Sequence, residues 1–203
     1  MIIARTDSQR LPGKMLRVIA GRPLLEWVVR RAQAAEALCG LVLATSCEAS
    51  DDELAARAAD LGVRVHRGPL GDVAARVHGC VQAAGWDYFV RINGDSPLIS
   101  PKLIDCGVRL ATHYRLDFVT NLWPRSYPYG ISVEVIRTET FARCLSETDD
   151  PADREHITRW FYRHIDRLRH MNVLRRGEDD SDLRLTVDTP EDLARVGAVL
   201  EAL

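Results

Sequence analysis

The segment YFVRINGDSPLIS (88–100) sets an apolar run before a polar loop, and its pattern decides the fold class of this 203-residue chain. The run YFVRI (88–92) has the β-branched and aromatic composition of a buried strand. Ser100-Pro101, at the end of the loop, is typical of a helix N-terminus. The same order recurs upstream, with strands predicted at 1–4, 40–46 and 63–66 and helices at 23–37, at 71–84 and from a capping box at 50–53 to Gly62. This alternation predicts an α/β fold with a mostly parallel central sheet flanked by helices.

The second half of the chain has a less regular pattern. It predicts strands at 117–122, 131–136 and 183–188 and a polar-rich helix at 151–170. Thr189-Pro190-Glu191-Asp192 predicts the start of a final helix. No linker or repeat interrupts the sequence, so we expect one domain over 1–203, with an acceptor or dimerisation part around 117–175.

Composition restricts the class of protein. The formal net charge of -2 gives no indication of a nucleic-acid or membrane partner. The five cysteines are scattered without a CxxC pair, which argues against a disulfide or zinc framework. No apolar run is long enough to span a bilayer, and the first residues do not resemble a signal peptide. A cytoplasmic location is therefore expected.

A cationic loop, ARTDSQRLPGK (4–14), directly follows the first predicted strand. It carries Arg5, Arg10 and Lys14 against the single acid Asp7. Ligands of open α/β sheets bind beyond the carboxyl ends of the strands, where this loop lies. Guanidinium, ammonium and hydroxyl groups suit a polyphosphate, although a solvated basic turn fits the composition equally well. The Walker pattern and the GxGxxG pattern are both absent.

Two acids follow other predicted strands and fall on the same edge of the sheet. Asp95 lies in the loop after 88–92, and Asp188 lies just before the final helix. Each alone is better explained as a turn or helix-start residue. Beside a cationic loop, the pair indicates a magnesium ion shared with a triphosphate.

Four segments together resemble one family. ARTDSQRLPGK, RINGDSPLIS (91–100), REHIT (154–158) and LRLTVDTPEDL (183–193) are similar to segments of the cytidylyltransferases that make CMP-activated sugar acids. The SpsF-like, spore-coat-polysaccharide branch is the most similar, and CMP-Kdo and CMP-neuraminate synthetases are more distant. The resemblance covers essentially the whole chain.

The resemblance implies a nucleotide-diphospho-sugar transferase fold, similar to GT-A. It implies transfer of CMP from CTP to a hydroxylated acceptor, a sugar acid for surface polysaccharide, with release of pyrophosphate. Mg²⁺ would be held by Asp95 and Asp188, and the catalytic residues would be Arg10, Lys14 and Asp95. The nucleotide would contact Ala4, Arg5, Ser8, Arg10, Lys14, Thr45, Ser46, Arg67, Gly68, Asn93 and Gly94.

The resemblance also implies an acceptor site and a homodimer. The acceptor-binding residues would be Asn121, Tyr129, Gly130, Glu134, Arg154 and His156. The homodimer would form through the second half, where the predicted helix 151–170 carries Trp160, Phe161, Ile165 and Leu168. Packing of these four side chains on the chain's own sheet is the alternative.

Two other functions remain open from the sequence. One is a glycosyltransferase of the same fold, for which DDSD (179–182) is a weak metal motif. The other is a non-catalytic nucleotide-binding subunit. Retention of Arg10, Lys14, Asp95 and Asp188 argues against it, because charged groups without a role are costly to keep.

Overall fold

A computed structural model describes residues 1–203 as an α/β fold with nine strands and eight helices. The strands are β1 (Ile2–Ile3), β2 (Val18–Ile19), β3 (Arg22–Pro23), β4 (Val42–Ser46), β5 (Arg64–Gly68), β6 (Tyr88–Asn93), β7 (Phe118–Thr120), β8 (Glu134–Arg137) and β9 (His170–Asn172). The helices are α1 (Leu24–Gln33), α2 (Asp52–Asp60), α3 (Val73–Ala84), α4 (Pro101–His113), α5 (Thr138–Glu147), α6 (Pro151–Glu155), α7 (Arg159–Arg163) and α8 (Pro190–Glu201).

Seven strands form the central sheet, in the order β5-β4-β1-β6-β8-β7-β9. Strands β5, β4, β1 and β6 pair in parallel, β8 is antiparallel to both of its neighbours, and β9 is parallel to β7. The predicted mostly parallel sheet is confirmed. Because β1 lies between β4 and β6, the loops that follow these three strands meet at one edge of the sheet.

Helices cover both faces of this sheet and bury two apolar clusters. One cluster contains the apolar faces of α1, α2, α4 and α8, and the other contains those of α3, α5 and α7. In α1 the buried positions Leu24, Leu25, Val28, Val29 and Ala32 have the helical spacing that predicted this helix. No helix of the chain combines the length and apolarity needed to cross a membrane.

Two predicted helix starts are confirmed, and each has the N-terminal capping hydrogen bond that its sequence predicts. The Ser100 hydroxyl accepts a hydrogen bond from the Leu103 amide, 3.3 Å away, at the start of α4. Thr189 and Asp192 form a reciprocal capping box at the start of α8. Both caps satisfy amides that a helix leaves free at its first turn.

The predicted helix 151–170 is wrong as a continuous element. The backbone leaves the helical region at His156, and α6, α7, a 3₁₀ turn (Ile165–Arg167) and β9 follow one another. Trp160, Phe161 and Leu168 are buried in the second apolar cluster, and Ile165 packs against it. The predicted dimerisation face is therefore used in the chain's own core.

Two further local predictions are wrong. Segment 183–188 is extended but joins no sheet, because its amides bond to loops: Leu185 N lies 2.7 Å from Tyr129 O, and Val187 N lies 2.9 Å from Asp95 O. Ser50 to Glu53 forms no capping box, since the Asp51 carboxylate instead accepts the Thr6 amide at 2.7 Å and the Ser46 hydroxyl. The sequence pattern also missed β2, β3, α5 and β9.

Candidate active site

The cationic loop leaves the end of β1 and turns back at Gly13. Gly13 has a left-handed backbone (φ 65°), which glycine adopts without strain. The Gly13 amide donates to the Thr6 carbonyl across 3.3 Å, which closes the loop on itself. Met15, one residue after Lys14, is buried in the core and anchors the end of the loop. The loop is thus shaped by backbone contacts, and its cationic side chains are left for other partners.

The loop after β6 forms the second wall. A Cβ atom added to Gly94 would lie 2.7 Å from Ala4 Cβ, so only glycine allows the two loops to approach this closely. Next along the chain, the Asp95 carbonyl accepts the Val187 amide. This bond brings Asp188, from the far end of the sequence, beside Asp95.

Lys14 lies between the two acids. Its Nζ atom is 3.3 Å from Asp95 Oδ2, 2.9 Å from Asp188 Oδ1 and 3.0 Å from the Val187 carbonyl. The lysine side chain is 12% exposed, so its charge is largely withdrawn from water. The ammonium therefore offsets part of the negative charge of both acids and reduces the repulsion between them.

The other two arginines of the loop are also paired. Arg10 Nη2 lies 3.1 Å from Asp188 Oδ1, and the arginine remains 65% exposed. Arg5 Nη2 lies 3.3 Å from Glu155 Oε1, which links the loop to α6. Arg10 extends into solvent at the rim, whereas Arg5 is partly enclosed.

These groups line an open cleft with a volume of about 570 Å³. It brings together ten of the predicted site residues: Ala4, Arg5, Ser8, Arg10, Lys14, Asn93, Gly94, Asp95, His156 and Asp188. All three predicted catalytic residues and both predicted metal ligands are in this set. The cleft has the size of a small-molecule site and a strongly charged lining.

Four residues predicted to bind nucleotide do not line the cleft. Thr45 and Ser46 are buried at the end of β4. Arg67 turns away and donates to the Ser46 and Glu48 carbonyls at 2.8 and 2.7 Å. Gly68 lies beneath Arg76, whose Cγ would be 2.9 Å from an added Cβ.

Most of the predicted acceptor residues also lie outside the cleft. Asn121 is buried and bonds to the Ile131 carbonyl and the Val133 amide. Tyr129 makes cation–π contacts with Arg125 and Arg184, whose guanidinium carbons lie 4.0 and 4.9 Å from the centre of its ring. Gly130 packs against the backbone at Leu185, where an added Cβ would lie 2.7 Å from the carbonyl carbon.

Arg154 and Glu134 make ion pairs behind the cleft. Arg154 Nε lies 3.1 Å from Asp72 Oδ2, at the start of α3. Glu134 is buried, pairs with Arg91 and accepts the Tyr162 hydroxyl at 2.6 Å. Burial alone would lower the pKa of Arg91, but the Glu134 carboxylate outweighs it and raises that pKa. Since Arg91 lines the cleft, Glu134 reaches the site through this arginine.

Sequence reasoning missed three residues that shape the cleft. Arg91 lines it from β6, and Asp51 fixes Thr6 beneath the loop. Arg76 lines the cleft from α3 and is 1% exposed. A signal for Arg76 existed, because it interrupts the buried face formed by Val73, Val77 and Cys80. A charged residue on the apolar face of a helix needs a reason to be there.

The cleft offers oxygen ligands to the expected magnesium ion. Asp95 and Asp188 supply two carboxylates, and nowhere do three or more His, Cys, Asp or Glu side chains converge as a metal site. Two carboxylates fit Mg²⁺, which usually takes one or two from the protein and completes its shell with water and substrate phosphates. In the DDSD segment, Asp180 pairs with Arg175 at 2.9 Å, and none of the four residues lines the cleft.

Comparison with known proteins bears on the family and the fold of the chain. The model of the family described as cytidylyltransferase matches residues 1–201. The spore coat polysaccharide biosynthesis protein SpsF of Bacillus subtilis is 30% identical over 209 residues, which cover 99% of this chain and 85% of SpsF.

Solved structures show the same fold. A cytidylyltransferase from Leptospira borgpetersenii superposes with a TM-score of 0.95 at 29% identity, covering the whole chain and 85% of that protein. A CMP:2-keto-3-deoxy-manno-octonic acid synthetase in complex with CTP superposes with a TM-score of 0.74 at 19% identity, covering 99% and 97% of the two chains. The predicted nucleotide-diphospho-sugar transferase fold is confirmed. This chain belongs to the cytidylyltransferase family and is a CTP-dependent nucleotidyltransferase.

Proposed function

We propose that this enzyme transfers CMP from CTP to a hydroxyl group of a sugar acid used for surface polysaccharide, with release of pyrophosphate. The observation that carries the proposal is Lys14 between Asp95 and Asp188, beside Arg10 on the same rim. This arrangement offers cations for a polyphosphate and carboxylates for a divalent cation within one cleft. The relative named for spore coat polysaccharide biosynthesis and the synthetase that acts on a keto-deoxy sugar acid support this acceptor class.

In this proposal the loop binds the triphosphate, with Arg5, Arg10, Lys14 and Ser8 as its contacts. Arg10 and Lys14 stabilise the negative charge that accumulates on the departing pyrophosphate. Asp95 and Asp188 would hold Mg²⁺, which supplies positive charge beside the phosphates. The cleft orients the acceptor hydroxyl, and this positioning lowers the barrier by removing the entropy cost of bringing two substrates together.

His156 and Glu155 line the same cleft from the end of α6. We assign the acceptor to this side. Asn121, Tyr129, Gly130, Glu134 and Arg154 would then act from behind the cleft by shaping its wall. The nucleotide base is assigned to the edge nearest β4 and β5, where Thr45, Ser46, Arg67 and Gly68 support the wall.

The test is a pyrophosphate-release assay. CTP, UTP, ATP and GTP are each supplied with magnesium and a panel of sugar acids, including 3-deoxy-manno-octulosonate and N-acetylneuraminate. We expect release with CTP and at least one sugar acid, and none with the sugar acid omitted. Release of free CMP from a CMP-sugar donor, with no pyrophosphate from CTP, would contradict the proposal and indicate a glycosyltransferase.

A homodimer remains a prediction from family resemblance, and a cytoplasmic location remains a prediction from composition. Because Trp160, Phe161 and Leu168 are buried within one chain, a dimer contact has to use other residues. Light scattering at micromolar concentration measures the mass in solution, and a monomer mass would contradict the homodimer.

A further inference from the structure

The five arginine and lysine side chains that line the cleft differ in how their charge is compensated. Four of them have a carboxylate within ion-pair distance: Arg5 pairs with Glu155, Arg10 and Lys14 with Asp188, and Arg91 with Glu134. The fifth, Arg76, forms no ion pair, although it is the most deeply buried of the set at 1% exposure. The cleft therefore contains one buried positive charge that has no direct ion-pair partner, although the carboxylates of Glu155, Asp51 and Asp72 act on it from a longer distance.

The hydrogen bonds of Arg76 are also incomplete. Nη1 donates to the Pro69 carbonyl at 2.8 Å, and the buried Nε has no partner. Buried polar atoms are nearly always bonded, and a buried charge without a partner is costly. Burial first, and then the positive charge of Arg5, hold the pKa of the Arg76 guanidinium below its usual value, and the more distant acids Glu155, Asp51 and Asp72 offset this only in part. A ligand oxyanion in direct contact would supply the compensation that these acids do not complete.

The backbone is arranged to accommodate Arg76. The side chain crosses Gly68 at the end of β5, where an added Cβ would lie 2.9 Å from Arg76 Cγ and 3.1 Å from Arg76 Cα. A residue with any side chain at position 68 would push the arginine away. The absence of a side chain at Gly68 thus allows Arg76 to occupy its position at the edge of the cleft.

We propose that Arg76 is an anion-binding residue of the cleft, which takes an oxyanion group of a substrate on its guanidinium. A guanidinium presents parallel N–H donors that match a carboxylate or a phosphate, and a charge-assisted pair of this kind compensates both the charge and the free donor. The oxyanion has two possible sources, the phosphates of CTP and the carboxylate of a sugar acid. Only the naming of these sources rests on the proposed function.

The test measures binding by isothermal titration calorimetry for the wild type, Arg76→Gln and Arg76→Lys. The probes are tripolyphosphate, CTP, cytidine and the sugar-acid panel. Arg31→Gln is the matched control, because Arg31 is a partly buried arginine on α1 that forms no ion pair and does not line the cleft. Unfolding curves of each variant show whether it folds. Arg76→Lys keeps the charge and loses the planar fork, so it provides the same comparison if Arg76→Gln does not fold.

We expect Arg76→Gln to bind at least one oxyanion probe ten or more times more weakly than the wild type, and Arg76→Lys at least three times more weakly. An equal loss for tripolyphosphate and CTP, with cytidine unchanged, identifies the phosphates as the source. A loss confined to sugar acids, and absent for their methyl esters, identifies the carboxylate. Wild-type affinity for every oxyanion probe, a loss for cytidine equal to that for CTP, or the same loss in Arg31→Gln would overturn the proposal. If the wild type releases no pyrophosphate in the earlier assay, the proposed function fails, whereas these binding measurements still decide the role of Arg76.

Discussion

Lys14 occupies the space between the two carboxylates that we assign to the metal, so removing its charge is expected to strengthen metal binding in the absence of nucleotide. Nζ contacts Asp95 at 3.3 Å and Asp188 at 2.9 Å, and the three side chains are 12%, 26% and 15% exposed. A divalent cation that binds these acids alone has to displace the ammonium. Replacement of Lys14 by glutamine removes the competitor and leaves both carboxylates in place.

The size of the expected change in metal affinity follows from the two contacts of the Lys14 ammonium. Each is a charge-assisted bond between partly exposed groups, worth about 1 kcal/mol after solvent screening. Together they contribute about 2 kcal/mol, which corresponds to roughly a 30-fold change in the dissociation constant of the metal. We therefore expect Lys14→Gln to bind Mn²⁺, used as a spectroscopic substitute for Mg²⁺, about 30 times more tightly than the wild type.

The assay is titration with Mn²⁺ followed by electron paramagnetic resonance of the free ion, without nucleotide. Arg17→Gln is the matched control, because Arg17 is an exposed cation nearby that donates to the Pro12 carbonyl and contacts neither acid. Turnover of Lys14→Gln should fall, since the same ammonium is assigned to the triphosphate. An Mn²⁺ affinity equal to or weaker than that of the wild type would refute the competition between Lys14 and the metal.

Three other predictions concern the carboxylates. Asp95→Asn and Asp188→Asn should each lower pyrophosphate release by roughly a hundred-fold or more, as expected for loss of one electrostatic contact in the transition state; near-wild-type rates in both would place the metal elsewhere. Glu134→Ala should lower the free energy of unfolding by about 3–5 kcal/mol, because the substitution leaves Arg91 charged without its partner. Urea unfolding measures this loss, with Glu134→Gln as the milder control. A loss under about 1 kcal/mol would contradict a stabilising buried ion pair. Burial raises the pKa of Asp51, but the hydrogen bonds from Ser46 and Thr6 outweigh burial and lower that pKa. The ionised carboxylate therefore stabilises the fold above about pH 4, and this contribution is lost as the pH falls further. The stability of Asp51→Asn should consequently decline less steeply below pH 4 than that of the wild type, and parallel stability curves would contradict this prediction.

The sequence predicted the parts of the fold that depend on local patterns. Strands β4 and β6 and helices α1 and α4 follow from apolar periodicity and from caps such as Ser100, which act within a few residues. The break at His156 was missed because Ile157, Trp160, Phe161, Ile165 and Leu168 have a nearly helical spacing, and no glycine or proline near position 156 marks an interruption. Segment 183–188 has the composition of a strand, yet its amides bond to the carbonyls of Tyr129 and Asp95, a choice that only tertiary contacts make.

The candidate site was predictable to the same extent. Arg10, Lys14 and Asp95 were named from loops after strands, and topology places the carboxyl ends of neighbouring parallel strands together. Asp188 was named from a predicted strand that joins no sheet, and the bond from the Val187 amide to the Asp95 carbonyl brings it to the cleft instead. Pair identities were not predictable, because the Lys14 contact with Asp188 joins residues 174 positions apart. Arg76 was missed since its role depends on the closeness of Gly68, which the sequence does not show.

The paired charges explain how one cleft can contain several acids and still suit a highly charged nucleotide. Arg5, Arg10 and Lys14 form ion pairs with Glu155, Asp95 and Asp188, which reduces the repulsion among the acids. In the function that we propose, binding would exchange partners: the cations would turn to the phosphates, and Asp95 and Asp188 would exchange Lys14 for a divalent cation. Each exchange would lower the cost of the other, because phosphates that take Lys14 free the carboxylates and a cation on the carboxylates frees Lys14. Coupling of this kind is reciprocal, so we expect nucleotide and metal to strengthen each other's binding by the same factor. Arg76 would take no part in this exchange, because no carboxylate forms an ion pair with it; in our proposal it can therefore bind an oxyanion without first releasing a protein acid.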